Sequence, residues 1–262
     1  MKNLFLGYFF CVMLLFAACD QNPKAESNAN NSDSVSFKMI SFYKSSTECK
    51  EDTCGAYVKA SYPEFNSPQV QKFVNKIITN DISNKGNLKL EILADSFITE
   101  FVKFRKEFPE AVGGYQWIQT LKVNDNKPNL ITFTHNNYSY TGGAHGLETT
   151  SYFNYLTKEN KALKLEDLLL PNQYQKLVTV GEEIFREDEK LSPDQSLEEN
   201  YFFENGKFVL NNNFLITDKG LLFTYNPYEI KAYAFGTTDL LIPYAKIKDI
   251  INPRSILATY VK

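Results

Sequence analysis

YQWIQTLKVNDNKPNLITFTHNNYSYTGGAHGLETTSYFNYLT, residues 115–157, decides the fold class. Three runs in it read as strands: Tyr115–Val123, Leu130–Tyr140 and Leu147–Thr157. Apolar residues recur in them at alternate positions, the period of a strand with one face on a core. Asn-Asp-Asn-Lys-Pro-Asn (124–129) separates the first two runs, and Thr-Lys-Glu-Asn-Lys (157–161) follows the third. Both are turn chemistry. The stretch predicts an antiparallel meander.

Working outward, the upstream chain predicts two further strands, around Phe37–Tyr43 and Tyr57–Phe65. Ser67 and Pro68 then make an N-cap and first-turn pair. Val70, Phe73, Val74, Ile77 and Ile78 fall on one helical stripe. A second helix is predicted over Leu90–Phe108, with Leu90, Leu93, Phe97, Phe101 and Phe104 on one face. Lys103, Arg105 and Lys106 lie near its C-terminal end, where cations suit the dipole, and Pro109 follows it. Its phenylalanine stripe is read as core.

Downstream, Leu163–Pro171 reads as a short helical piece. Tyr174–Glu187 reads as a helix with Tyr174, Leu177, Val178, Ile184 and Phe185 inward. A hairpin turns over Asp218-Lys219-Gly220. Strands are expected at Ile230–Phe235 and Leu240–Tyr244, and a short amphipathic helix at Ala245–Ile251. Strands and helices come in blocks rather than in alternation. The fold class is therefore α+β, with antiparallel sheets, packed helices and two small subdomains. Their expected bounds are 36–160 and 161–262.

Of the 262 residues 43% are hydrophobic and 15% aromatic, enough to build a core with ring-rich sheet faces. The formal net charge is −3, and no basic cluster stands out, which argues against nucleic acid as a partner.

The first residues read MKNLFLGYFFCVMLLFAACD. Lys2 is a positive n-region, Leu4–Phe16 an apolar stretch short for a permanent membrane span, and Ala17-Ala18 a small-residue cleavage site. Cys19 follows directly. The pattern predicts a lipoprotein signal peptide over 1–18 and a lipid on Cys19, although Phe16 stands where such signals usually carry Leu. Acyl chains contribute about 0.8 kcal/mol per buried CH₂, so several on one cysteine anchor a protein stably. Residues 19–35 are Asn- and Ser-rich and nearly free of apolar groups, and read as a disordered tether. The protein is expected at the cell envelope, facing the periplasm or the exterior, with the membrane itself as its first partner.

Cys11 leaves with the leader. Cys49 and Cys54 remain, and an even pair in an exported chain predicts a disulfide. A sharper reading joins them with His135 and His145 into a zinc site. The spacing fits no standard zinc pattern, so the disulfide is preferred and neither metal nor cofactor is expected.

Tyr140-Thr141-Gly142-Gly143-Ala144-His145-Gly146 is the most site-like segment. Its glycines permit positive φ and close backbone approach. His145 could work beside Glu148, or simply brace a turn. Tyr228, in Asn226-Pro227-Tyr228, is an aromatic surface candidate, continued by Tyr233, Phe235 and Gly236. Tyr140, Gly142, Gly143, His145 and Tyr228 are thus the candidate ligand-binding residues. Trp117, the only tryptophan, is read as core. The sequence holds no Gly-x-Ser-x-Gly, phosphate loop or His-Glu-x-x-His, and no catalytic residue is assigned.

Two local patterns carry a family resemblance. One is YSYTGGAHGLETTSYFNY (138–155), followed by LKLEDLL (163–169). The other is FLITDKGLLFTYNPYEIKAYAFGTTDLLIPYAKIKDII (214–251). Together they resemble the PdaC/RsiV-like extracytoplasmic domains, a family largely of unknown function, over about residues 36–255. The resemblance implies two α+β pieces. The family includes the lysozyme-binding sensor domain of an anti-sigma factor and the non-catalytic part of a peptidoglycan deacetylase. What it implies here is a cell-envelope binding module for a lysozyme-like protein or a wall glycan. An envelope hydrolase using His145 is the alternative.

Overall fold

In a computed structural model of the chain, residues 34–46, 55–80 and 88–261 are described. The expected signal peptide, Cys19, Cys49 and Cys54 lie outside them. Ser46 and Ala56 nonetheless tie off the segment that carries the two later cysteines. Ser46 N donates to Ala56 O at 2.8 Å, and Ala56 N to Ser46 Oγ at 3.0 Å.

The first six strands form one sheet in chain order: β1 (Phe37–Ser45), β2 (Ala56–Phe65), β3 (Tyr115–Lys127), β4 (Leu130–Tyr140), β5 (Leu147–Leu156) and β6 (Lys161–Ala162). The meander β3-β4-β5 is antiparallel, as its turn chemistry predicts. The expectation of antiparallel pairing throughout needs one correction, because β2 and β3 run parallel. Parallel neighbours need a crossover, and helices α1 (Pro68–Thr79) and α2 (Leu90–Glu107) lie between them in the chain. Pro68 stands at the start of α1, but the Ser67 hydroxyl makes no capping bond to the helix backbone.

Alternation on the sheet meets the helical stripe. Leu121, Ile131, Phe133 and Tyr155 are buried with Val70, Val74, Ile77 and Ile78 of α1 and Leu90 of α2. Burying each such aliphatic chain contributes roughly 1.5–3 kcal/mol. Phe73 stacks on Tyr155 with ring centroids 4.5 Å apart and meets Phe153 edge-on at 6.0 Å. Further along, Phe97, Phe101 and Phe104 of α2 surround Tyr115.

The second part holds a three-stranded antiparallel sheet, β7 (Phe214–Ile216), β8 (Gly220–Tyr225) and β9 (Thr238–Pro243), packed with α3 (Tyr174–Asp188) and α4 (Tyr244–Ile247). The hairpin over 218–220 forms as expected. Its core reaches back to Leu130 and Leu156 of the first sheet. Tyr174, expected inward, is 39% exposed, with only its hydroxyl reaching in to Leu210 O at 3.3 Å. The expected strand at 230–235 is absent. There the chain turns back on itself, with Tyr228 N on Lys231 O, and continues into a 3₁₀ turn at Tyr233–Phe235. Phe202 N takes the Ile230 carbonyl, which leaves that segment outside the sheet.

Asparagine side chains join the two parts. Asn154, buried on β5, donates from Nδ2 to Phe214 O (2.8 Å) and accepts at Oδ1 from Ile216 N (3.0 Å). Asn213 reciprocates, accepting from Tyr152 N at 2.7 Å and donating to Thr150 O at 2.8 Å. Asn226 Oδ1 accepts from Thr150 N at 2.6 Å. An amide side chain carries the same donor and acceptor as a peptide, so the outer edge of β5 at Thr150 and Tyr152, beyond its short pairing with β6, is satisfied without another strand. At the chain's start, Val35, expected as the last residue of the tether, is pinned by Asn126 on both its N–H and its carbonyl and packs on the first core.

Candidate functional site

The β4–β5 connection is short, so it must reverse within Thr141–Gly146. Gly142 and Gly143 make the reversal with φ of 102° and 93°, where any side chain would be strained. Tyr140 folds over the loop and donates its hydroxyl to Gly143 O at 3.0 Å. At Gly146 a Cβ would fall 2.5 Å from the ring of Tyr138, so any other residue would have to push that ring aside.

The Gly146 carbonyl is the pivot of the site. It accepts from His145 Nδ1 at 3.0 Å and from the Tyr233 hydroxyl at 2.9 Å. A carbonyl only accepts, so Nδ1 carries the proton and Nε2 presents its lone pair. The Tyr228 hydroxyl lies 3.4 Å from that Nε2. His145 stacks on Tyr233 with centroids 3.7 Å apart and planes 12° off parallel. Tyr228 completes the group, 5.4 Å from Tyr233 and 6.4 Å from His145.

The structure therefore brings together His145 and Tyr228, which lie far apart in the chain, beside the loop of Tyr140, Gly142 and Gly143. It adds Tyr233, which sequence reading placed in a strand. Tyr228 is 55% exposed and holds φ at 70°, a left-handed conformation that a bulky residue rarely adopts. Bonds from Asn226 N to Glu229 Oε2 (2.8 Å) and from Tyr228 N to Lys231 O (3.1 Å) impose it. Glu148, the expected acidic neighbour, forms no ion pair or hydrogen bond with His145 among the described residues.

His135 lies elsewhere, on the helix-facing side of β4, with Nε2 2.9 Å from Gln119 Oε1. Burial holds its imidazole down from 6.5 to about 4. Trp117, read as core, is only half-buried, and its indole N–H donates to Asn137 Oδ1 at 2.8 Å. Among the described residues no three His, Cys, Asp or Glu side chains converge as a metal site would require. No helix among them is long and apolar enough to cross a membrane.

With this geometry in place, the relatives can be read against it. Residues 47–148 match the family model described as Deacetylase PdaC. Residues 166–245 match the DUF3298 family of proteins of unknown function. The two matches follow one another along the chain without overlapping. His145 lies within the residues similar to the first model and Tyr228 and Tyr233 within those similar to the second, so the aromatic site draws on both matched stretches. Two crystal structures share the fold. One is a DUF3298 family protein from Bacteroides fragilis NCTC 9343, with TM-score 0.71 and 21% identity, covering 88% of this chain and 99% of that one. The other is a DUF3298 family protein from Pseudomonas aeruginosa PAO1, with TM-score 0.65 and 21% identity, covering 84% and 96%. Among curated proteins no sequence match is found.

Proposed function

We propose that this protein is a lipid-anchored binding or sensing module of the cell envelope. Its binding face is the loop of Tyr140, Gly142, Gly143 and His145 together with Tyr228 and Tyr233. The observation that carries this reading is Tyr228. An exposed ring held in a strained backbone conformation contributes little to a core, and such strain is retained where a site uses it. Tyrosine offers a rigid apolar face and one hydroxyl, which suits protein and sugar partners alike. Both bonds of His145 serve to position its ring, and among the described residues no acid or nucleophile is paired with it, which favours binding over turnover.

The ligand is a lysozyme-like envelope protein or a wall glycan. Calorimetric titration of the purified protein against a lysozyme, and separately against soluble wall-glycan fragments, should give saturable heat with one of the two. Heat with neither overturns both assignments. The anchor rests on Cys19 after Ala17-Ala18, and the envelope location rests on that anchor.

The description Deacetylase PdaC, over residues that include His145, favours a second reading as an envelope hydrolase using that histidine. Screening wild type against His145→Ala on acetylated wall material separates the two. Turnover lost in the variant supports the hydrolase, whereas equal turnover in both, or none in either, removes it.

A further inference from the structure

On the helix-facing side of the first sheet, chemistry changes along the strands. One cross-strand row is Val123–Phe133–Phe153, apolar under α1. The next is Leu121–His135–Ser151, and the one after it Gln119–Asn137–Thr149. Strand alternation makes these core positions, yet all but Leu121 are polar. A core that buries polar groups loses stability unless they are paired or used. Here they line a cleft of about 350 Å³ between the sheet and the second half of α1, with Phe73, Ile77 and Trp117 as its apolar walls. That volume is at the small end of ligand sites. The cleft shares no lining residue with the aromatic loop face.

The polar floor is committed on its acceptor side. Asn137 Oδ1 takes the Trp117 indole N–H, and Gln119 Oε1 takes His135 Nε2–H. What remains of both amides is donor. Gln119 is 2% exposed, and its Nε2 has no hydrogen-bond partner among the described residues. An unpaired buried donor costs about 1–3 kcal/mol, a cost that an incoming acceptor relieves. Among the described residues no carboxylate lines the cleft. Burial keeps His135 uncharged near neutrality, so the floor itself carries no full charge, and Lys76 of α1, the cation among the described lining residues, is already engaged.

We infer that this cleft is a binding site for a small neutral acylamido group, whose carbonyl oxygen accepts from Gln119 Nε2 while its methyl and backbone lie against Trp117 and Phe73. Such a group occurs on acetylated sugars and on acylated amino acids, and the two sources can be told apart.

Trp117 is the chain's only tryptophan, so intrinsic fluorescence reports on the cleft without a label. The full chain is titrated with N-acetylglucosamine and with N-acetyl-L-alanine methylamide, and with glucose and acetate as controls. At least one acetylated probe should shift Trp117 emission saturably, and glucose and acetate should not. A response to the sugar alone, the amino-acid derivative alone, or both supports the inference and names the source. Gln119→Met should weaken that binding at least tenfold; because it removes the acceptor of His135 Nε2–H along with the unpaired donor, the melting temperature on the same samples serves to show that the variant is folded. Should that variant fold poorly, the Gln119 side-chain NH₂ resonances of wild type decide, and they should move on titration. No response to either acetylated probe, an equal response to the controls, unweakened binding by a folded Gln119→Met, or unmoved Gln119 resonances overturns the inference. A failure of the loop-face reading leaves these outcomes untouched.

Discussion

Tyr228 holds a left-handed backbone conformation that costs an L-residue roughly 1–2 kcal/mol. Asparagine tolerates this conformation far better. Tyr228→Asn should therefore melt at the wild-type temperature or above it, by up to about 1 kcal/mol in stability. A loss greater than about 1 kcal/mol would show that the ring is structural. His135 makes a different prediction. Its folded value of about 4 lies below the ordinary 6.5. Between those values the unfolded chain binds a proton that the folded chain does not, so stability falls as pH drops through that window and is unaffected above it. The loss should be on the order of 2 kcal/mol, read by denaturant unfolding at pH 7 and pH 4.5. His135→Gln, which does not titrate, should flatten that part of the profile. An unchanged profile in the variant would assign the loss to other groups. Residue types in the Gly-Gly-Ala-His loop made His145 legible in the sequence. Its partner Tyr233 was not, because a ring stack between segments about ninety residues apart leaves no local pattern.

Among the elements, the meander and α1 were legible because side-chain alternation and the helical stripe each match a buried face. The parallel pairing of β2 with β3 was not, since a strand's pattern states which face is buried but not which neighbour it takes. The segment 230–235 has the right apolar content for a strand. It lost that fate to the Asn226–Lys231 turn, whose side-chain bonds lead the chain away from the sheet. The polar rows beneath α1 escaped notice for a related reason. Gln119, His135 and Ser151 are ordinary residues one at a time, and only strand register places them side by side. At the junction, Asn154 stands in for a missing strand. Asn154→Ala should leave Phe214 O and Ile216 N buried without partners and cost about 2–4 kcal/mol, measured by denaturant unfolding. A cost below about 1 kcal/mol would mean that the two parts are not joined through it.

For the whole molecule, the proposed anchor on Cys19 would hold at a membrane a two-part folded body whose aromatic face draws on both parts. Cys19→Ala should move the protein from the detergent to the aqueous phase in phase partitioning. Wild type found in the aqueous phase would remove the anchor. The central claim is that the face around Tyr228 binds. Its most direct measurement is the affinity of wild type and Tyr228→Asn for whichever envelope ligand gives heat, with melting temperatures taken on the same samples. The account predicts at least tenfold weaker binding by a variant that melts no lower than wild type. Undiminished binding by a properly folded Tyr228→Asn would contradict it.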